Sequence, residues 1–173
     1  FQVNNTITGT LNLMSAGGTG SASFTTLLLG QNSSSAAATN GAAIATLNIG
    51  GGTVAVSGTM TLGNNSIGGG STAQTAAPVQ ATANISGGTV TIGTLNMNVN
   101  SSANTGTGNA SLASLNISGG SVGVTNLSLA APSAAAATAT SAISLTGGIL
   151  TLGANLAYTQ SAGTANTTLT LNG

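Results

Sequence analysis

The stretch "LNISGGSVGV", residues 115–124, has a near copy in "ANISGGTVTI", residues 83–92. In both phrases an aliphatic residue lies two positions before a Gly-Gly pair, and two more follow the pair at alternate positions. Related phrases surround Gly51-Gly52 and Gly147-Gly148, so the motif occurs four times. Such self-similarity is the signature of a repeat architecture, in which each copy is one unit stacked on the next.

The four copies share a core of 12 to 13 residues, measured from the first aliphatic residue to the last apolar one. Its apolar positions are Ile49, Ile85, Ile117 and Leu145; then Val54, Val90, Val122 and Leu150; then Val56, Ile92, Val124 and Leu152; and finally the pairs Met60 and Leu62, Leu95 and Met97, Leu127 and Leu129, Leu156 and Tyr158. Leu171 is the next member of the first row, and the first two rows are expected to point inward as apolar ladders of the core. The connectors between cores shorten along the chain. They are rich in Ser, Thr, Ala, Asn and Gly, and they contain both prolines, Pro78 and Pro132.

Apolar residues recur with period two inside each core, which is typical of β-strands. The sequence therefore predicts three short strands per repeat, such as "LNI", "TVTI" and "TLNM" in one copy, with a sharp Gly-Gly turn after the first. One repeat cannot bury its own apolar residues, but stacked repeats can. We predict an all-β parallel β-helix (β-solenoid) of about five three-stranded coils, with variable Ser/Thr/Ala/Asn-rich connectors. Right-handed coiling is expected from the general handedness of parallel crossovers.

Residues 1–173 are expected to form a single solenoid domain, with an irregular first coil over residues 1–30 and regular coils over 31–173. The first coil matches the second only with insertions after Leu13 and near Phe24, and "FQV" at residues 1–3 fits the last strand of a preceding coil. The structural alternative is a stack of β-hairpins, in which "VSGTM", residues 56–60, forms a tight hairpin.

The chain contains no Lys, Arg, Asp, Glu, His or Cys in 173 residues, whereas an average soluble domain is about one quarter charged. Acid–base and nucleophilic catalysis need such groups, and Tyr158 alone remains, so we predict no catalytic residues and no enzyme. Metal sites need Cys, His or carboxylates, so no metal and no cofactor is expected. Nucleic acid is excluded as a partner because phosphate neutralisation needs Lys or Arg.

Three explanations of the neutrality are open. The chain is selected to be neutral, or it is a neutral region of a longer protein, or some Asn and Gln stand where the natural protein has Asp and Glu. The start at Phe1 and the stop at Gly173 fit a processed or partial chain. No basic segment precedes an apolar run, as a signal peptide requires. The longest purely apolar runs are four residues, so we expect no membrane insertion.

The strand phrases combined in "LNISGGTVTIG", from residues 115–118 and 87–93, resemble the glycine-rich repeats of autotransporter passenger domains and related β-helix proteins of bacterial surfaces. The resemblance covers roughly residues 41–173. It implies a secreted or surface-displayed segment, extracellular or at the cell surface, often part of a longer chain. Such families have adhesion, aggregation and matrix roles, and their members usually carry scattered Asp and Lys, which this chain lacks.

The expected function is structural. Stacked coils end in unpaired strand edges, which natural proteins usually protect with charge, proline, bulges or a covering element, and this sequence offers no such protection. We therefore expect a subunit or segment of an extracellular filament, sheath or matrix. Its partner would be the chain itself, as a head-to-tail homopolymer, or flanking coils of a longer chain. The alternatives are a surface adhesin of an autotransporter-like protein and an ice-binding face, the latter disfavoured by the irregular outward rows that begin at Thr53 and Ala55.

Two features are expected on the outer surface, a row of asparagines and several glycosylation sequons. Asn48, Asn84 and Asn116, followed by Ser144 and Thr170, occupy equivalent outward positions, where stacked amides can form a hydrogen-bonded ladder. Glycans are a further candidate partner, since Asn-x-Ser/Thr sequons occur nine times, although chance produces many in such a composition. The sequons are at Asn4, Asn32, Asn64, Asn84, Asn100, Asn109, Asn116, Asn126 and Asn166.

Overall fold

The computed structural model describes residues 7–33, 42–66, 78–101, 110–133, 135 and 137–172. This part of the chain forms eleven β-strands and no helix. The strands are β1 (Ile7–Leu13), β2 (Ser21–Asn32), β3 (Ala43–Ile49), β4 (Thr53–Asn65), β5 (Val79–Ile85), β6 (Thr89–Asn100), β7 (Ala110–Ile117), β8 (Ser121–Pro132), β9 (Thr138–Leu145), β10 (Ile149–Tyr158) and β11 (Thr164–Leu171). Accordingly, the described chain contains no helix long and apolar enough to span a membrane.

The strands alternate between two parallel sheets. Sheet A has the order β1-β3-β5-β7-β9-β11, and sheet B has the order β10-β8-β6-β4-β2. Because consecutive strands belong to different sheets and every ladder is parallel, the chain coils as a β-solenoid, which confirms the predicted fold class. The chain makes about four turns, as counted from β2 to β10, a minor difference from the expected five coils. The hairpin alternative was wrong, because "VSGTM" lies inside β4, whose neighbours β2 and β6 are both parallel to it.

Each coil contains two strands where the sequence suggested three. The second and third predicted segments join into one long sheet-B strand of 10 to 13 residues. The register shifts at the join, between Val56 and Thr59 in β4. Two residues, Ser57 and Gly58, fill that corner in β4, whereas Gly93 alone fills it in β6. Hydrogen bonding to the neighbouring strand continues on both sides of this corner, so the strand is not interrupted there. The alternation of apolar residues alone does not show whether a corner interrupts a strand.

The first coil is less irregular than the sequence suggested. β1 pairs with β3 residue by residue, from Ile7 with Ala43 to Leu13 with Ile49. The expected insertion after Leu13 is present as a longer turn. Residues 14–20 form this turn in the first coil, whereas residues 50–52 form the equivalent turn in the next coil. Near Phe24 the structure shows the opposite of an insertion, since β2 has one corner residue where β4 has two. The "FQV" segment lies outside the described residues.

The predicted apolar ladders form the core in the central coils. Ile49, Ile85 and Ile117 are buried above one another in sheet A, and Val54, Val90 and Val122 are buried in sheet B. The terminal members differ, because a residue in the last coil has a neighbour on one side only. Leu145 and Leu150 are half-buried, and Leu171 is exposed. Each central aliphatic residue contributes about 1.5–3 kcal/mol through burial.

The Gly-Gly turns stack directly on one another at the corner that follows each sheet-A strand. The second glycine of each pair has a positive φ, +76° at Gly120. A Cβ atom added there would lie 2.5 Å from the carbonyl oxygen of Gly88 in the coil below. Glycine is therefore required twice over, for the left-handed backbone and for the close approach of backbone to backbone.

A second corner, near the end of strands β2, β4, β6 and β8, was not predicted. Equivalent residues there have positive φ: Gly30, Gly63, Asn98 and Ala130. The fully buried Asn98 uses its Nδ2 group to donate to the carbonyl oxygens of Ser111 and Thr140 in sheet A. Nearby, the buried Ser141 hydroxyl donates to Met97 O and accepts from Ala130 N. These polar contacts connect sheet B to sheet A at this second corner.

Candidate functional site: the two ends of the solenoid

The last coil exposes side chains whose equivalents in the central coils are core residues. In β8 the inward residues Val124, Leu127 and Leu129 are 2–8% exposed, because β10 covers them. No described coil covers the equivalent residues of β10 or the inward residues of β11. The exposed fractions are 41% for Leu152, 62% for Leu156, 54% for Tyr158, 57% for Leu169 and 63% for Leu171.

The first coil shows a smaller version of the same feature. Ile7 and Leu11 are inward residues of β1 by their register with Ala43 and Leu47, and they are 56% and 37% exposed. Phe24 and Leu27 of β2 are half-buried and pack against the core from this end. Both ends of the described column therefore present an apolar surface.

Unpaired backbone accompanies these apolar surfaces. β1 and β11 are the outermost strands of sheet A, and β2 and β10 are the outermost strands of sheet B. No described strand pairs with the outer edge of any of these four strands, and unpaired N–H and C=O groups at a sheet edge template pairing with another strand. Within the described residues, none of these strands carries a charge or is covered by a helix, and the register irregularities in β2 and β10 are the one usual edge-blunting feature that they contain.

A ladder of asparagines runs along the outer face of sheet A, as the sequence predicted. Asn48 Nδ2 donates to Asn12 Oδ1 over 2.7 Å, Asn84 Nδ2 to Asn48 Oδ1 over 2.9 Å, and Asn116 Nδ2 to Asn84 Oδ1 over 2.9 Å. Asn12 was not among the predicted members, although its position in "LNL" could have identified it. Every amide donates toward the first coil, so the ladder has a direction as well as a register.

Replacing Asn84 with Ala should lower the free energy of unfolding by about 1–2 kcal/mol. The substitution removes the part-buried hydrogen bond to Asn48 and the exposed one to Asn116, each worth about 0.5–1 kcal/mol. The matched control is Asn96→Ala on the outer face of β6, because Asn96 has no side-chain hydrogen bond to the described residues. Urea unfolding of both variants measures the difference, and equal losses would show that the ladder adds nothing.

The sequons fall in contrasting environments. Asn100 is fully buried, and its Nδ2 donates to Thr138 O. Asn84 and Asn116 use the same nitrogen, the one a glycan would modify, for the ladder. Asn126 Oδ1 accepts from Asn155, and Asn166 is exposed on β11. Asn4 and Asn109 lie outside the described residues. Glycosylation at Asn84, Asn100 or Asn116 would thus disrupt contacts that hold the coils together.

The remaining predicted features have clear positions. The Tyr158 hydroxyl lies at the last coil, within hydrogen-bonding distance of Gln160 Oε1 and Ala165 O.

The outward rows considered for ice binding are in register, but their composition is irregular, as the sequence indicated. They contain Thr53, Thr89, Ser121 and Ile149, and Ala55, Thr91, Gly123 and Thr151.

Comparison with known proteins identifies no relative. No family model, no curated protein and no solved structure matches the chain.

Proposed function

We propose that this chain is a structural protein, a subunit or segment of an extracellular or cell-surface filament, sheath or matrix built by end-to-end stacking of β-solenoids. The observation that supports this most directly is the pair of open ends. The last coil presents Leu156, Leu169 and Leu171, and the first presents Ile7 and Leu11, each beside an unpaired parallel strand.

The geometry of the ends favours stacking along the column axis over other contacts. A second copy placed on β11 would extend sheet A with the parallel pairing that already joins β9 to β11. The inside–outside alternation restricts the register, since a one-residue slip would turn apolar residues to solvent. Pairing Leu171 with Leu13 of the next copy would align inward leucines and place Thr170 next to Asn12, whose Oδ1 accepts from Asn48.

Neutrality supports the same proposal. Two copies approach without the charge repulsion that keeps most proteins apart. Apolar burial and backbone pairing do not depend on ionic strength as charge contacts do. The assembly is therefore expected to persist from low to high salt, as a matrix component in a variable environment requires.

Replacing Leu169 with Lys should abolish rod formation. A stacked junction would bury the ammonium group without a partner, since the chain has no acidic side chain, and association should weaken at least about a hundredfold, equivalent to about 2.8 kcal/mol. The matched control is Leu112→Lys, which adds the same charge to an exposed leucine on the outer face of the central strand β7.

Electron microscopy and sedimentation of the purified proteins supply the measurement. Wild type and Leu112→Lys should form unbranched rods whose length grows with concentration, and Leu169→Lys should remain monomeric with an unchanged circular dichroism spectrum. A wild-type protein that stays monomeric at high concentration, or rods unaffected by Leu169→Lys, would refute stacking through this end.

A further inference from the structure

The second corner has the same left-handed backbone in four coils, but its chemical surroundings differ. Gly30 in β2 and Gly63 in β4 occupy equivalent positions there, with φ of +69° and +75°. Because neither residue has a side chain, the atoms that surround the two positions can be compared directly.

The surroundings of Gly30 are mainly apolar. A Cβ atom added there would lie 3.1 Å from Gln80 O, 3.3 Å from Val79 Cγ1 and 3.4 Å from Ala81 Cβ. Val79 and Ala81 are both buried. In this coil the corner therefore packs against carbon atoms and one backbone carbonyl group.

The surroundings of Gly63 are polar. The three atoms nearest to an added Cβ would all be oxygens, with Ser111 Oγ at 3.1 Å, Leu112 O at 3.5 Å and Asn98 Oδ1 at 3.7 Å. Two differences between the coils produce this change. Ser111 occupies the register position of Val79, and Asn98 is the next residue in the row of corner positions, where the coil before has a glycine. We call these three oxygens the oxygen cluster.

The two side-chain oxygens of the cluster are buried and unpaired within the described residues. Asn98 is 0% exposed and Ser111 is 1% exposed, and neither Asn98 Oδ1 nor Ser111 Oγ has a hydrogen-bond partner there. The orientation of the Asn98 amide is set by its Nδ2 group, which donates to the carbonyl oxygens of Ser111 and Thr140. Buried polar atoms in native proteins bind either protein groups or ordered water, because leaving them unpaired is destabilising.

We propose that the oxygen cluster binds one internal water molecule beside Gly63. The Ser111 hydroxyl donates to this water, and the water donates to Asn98 Oδ1 and to Leu112 O. A carbonyl oxygen has two lone pairs, so Leu112 O can accept this bond in addition to one from a neighbouring strand. Three hydrogen bonds are typical of a buried water. All the donors and acceptors of the cluster are then satisfied.

The water does in the β4 coil what an amide does in the β6 coil. Asn98 Nδ2 donates to Thr140 O over 2.7 Å, and the register equivalent of Thr140 in β7 is Leu112. At Gly63 the water supplies the donor to Leu112 O that no side chain supplies. Sheet B is thus joined to sheet A through a hydrogen-bond donor at the second corner of both coils. The site lies within central strands, so it does not depend on the proposed function.

Gly63→Ala tests the site by stability. The new methyl group displaces the water and leaves the buried oxygens of Asn98 and Ser111 unpaired. The matched control is Gly30→Ala, which has a similar positive φ and the same nearest approach of 3.1 Å but no oxygen cluster. Urea unfolding should show that Gly63→Ala raises the equilibrium constant of unfolding at least about tenfold more than Gly30→Ala does. Equal effects would overturn the proposal.

Ser111→Ala gives an effect whose sign is informative. It should raise the unfolding constant at least about threefold, because the water loses its donor. Without a bound water, the substitution would remove an unpaired buried hydroxyl group and stabilise the protein, which would overturn the proposal. The penalty should disappear when Gly63→Ala is already present, since the water is then displaced. A penalty that persists in the double variant would show that Ser111 bonds to protein instead, and would also overturn it.

A crystal structure that resolves ordered water tests the site directly. An oxygen should lie within about 3.2 Å of Ser111 Oγ, Asn98 Oδ1 and Leu112 O, and it should be absent from Gly63→Ala. Unfolding in sodium chloride and in choline chloride of equal concentration distinguishes water from a small cation. Equal stability in the two salts is expected. Selective stabilisation by sodium, or a wild-type structure with no oxygen at this position, would overturn the assignment.

Discussion

Replacing Gly120 with Ala should lower the free energy of unfolding by about 3 kcal/mol or more. Its φ of +76° costs an L-residue about 1–2 kcal/mol. The new Cβ would also lie 2.5 Å from Gly88 O and 2.7 Å from Gly87 C, both backbone atoms that cannot rotate away. The coils would have to separate at this corner, which costs a further 1–3 kcal/mol, roughly as in other overpacked sites.

Gly123→Ala is the matched control, since it makes the same change three residues away. Nothing lies within 4 Å of the Cβ position at Gly123, and its φ is not positive. Alanine in a strand interior is roughly 0.5–1 kcal/mol more favourable than glycine, so this variant should be neutral or slightly more stable. Chemical denaturation of the two variants gives the difference. If Gly120→Ala proves as stable as Gly123→Ala, the stacked-turn geometry is incorrect.

Replacing Val90 with Asp should prevent folding at neutral pH. Val90 lies between Val54 and Val122 in the ladder of sheet B, and all three side chains are buried. A carboxylate there has no Lys, Arg or His in the whole chain to pair with. The loss should be at least about 3–5 kcal/mol, as when a buried charge is left without its partner. Thr91→Asp, one residue along on the exposed outer face, should cost less than about 1 kcal/mol.

The pH dependence of Val90→Asp has a definite sign. Burial raises the pKa of such a carboxyl group in the folded state above its unfolded value of about 3.9. The penalty is therefore fully present above the folded pKa, and it diminishes as the pH falls toward the unfolded value, where the carboxyl group is protonated in both states. Circular dichroism from pH 7 to pH 3 should show Val90→Asp gaining structure on acidification, with little change in the wild type. Loss of structure on acidification would contradict the buried position of this ladder.

The sequence was sufficient to predict the central coils. Period-two alternation identified the inward rows, and the Gly-Gly pairs placed one corner, because both depend on residues close together in the chain. The asparagine ladder was also predictable, since equivalent positions in stacked coils must lie above one another. In such a stack a charged outer position would face a like charge one strand spacing away, which is unfavourable.

The corner at Asn98 and the ends of the column could not be predicted in the same way. Gly30, Gly63, Asn98 and Ala130 share a positive φ but not a residue type, so no motif marks them. Asn98 is fixed by carbonyl groups of Ser111 and Thr140, which are 13 and 42 residues away in the chain. Leu171 was expected in the core from its alternation, but it is exposed because burial depends on the coil above it.

Fibre diffraction from aligned rods of the purified protein tests whether the solenoids stack end to end. End-to-end stacking of solenoids places every strand across the rod, with the strand spacing along its axis. We expect a strong meridional reflection near 4.8 Å, about the spacing of paired strands, and Leu169→Lys should abolish it together with the rods. Rods whose reflection at this spacing is equatorial, with the strands parallel to the axis, would contradict it, as would a protein that forms no rods at any concentration.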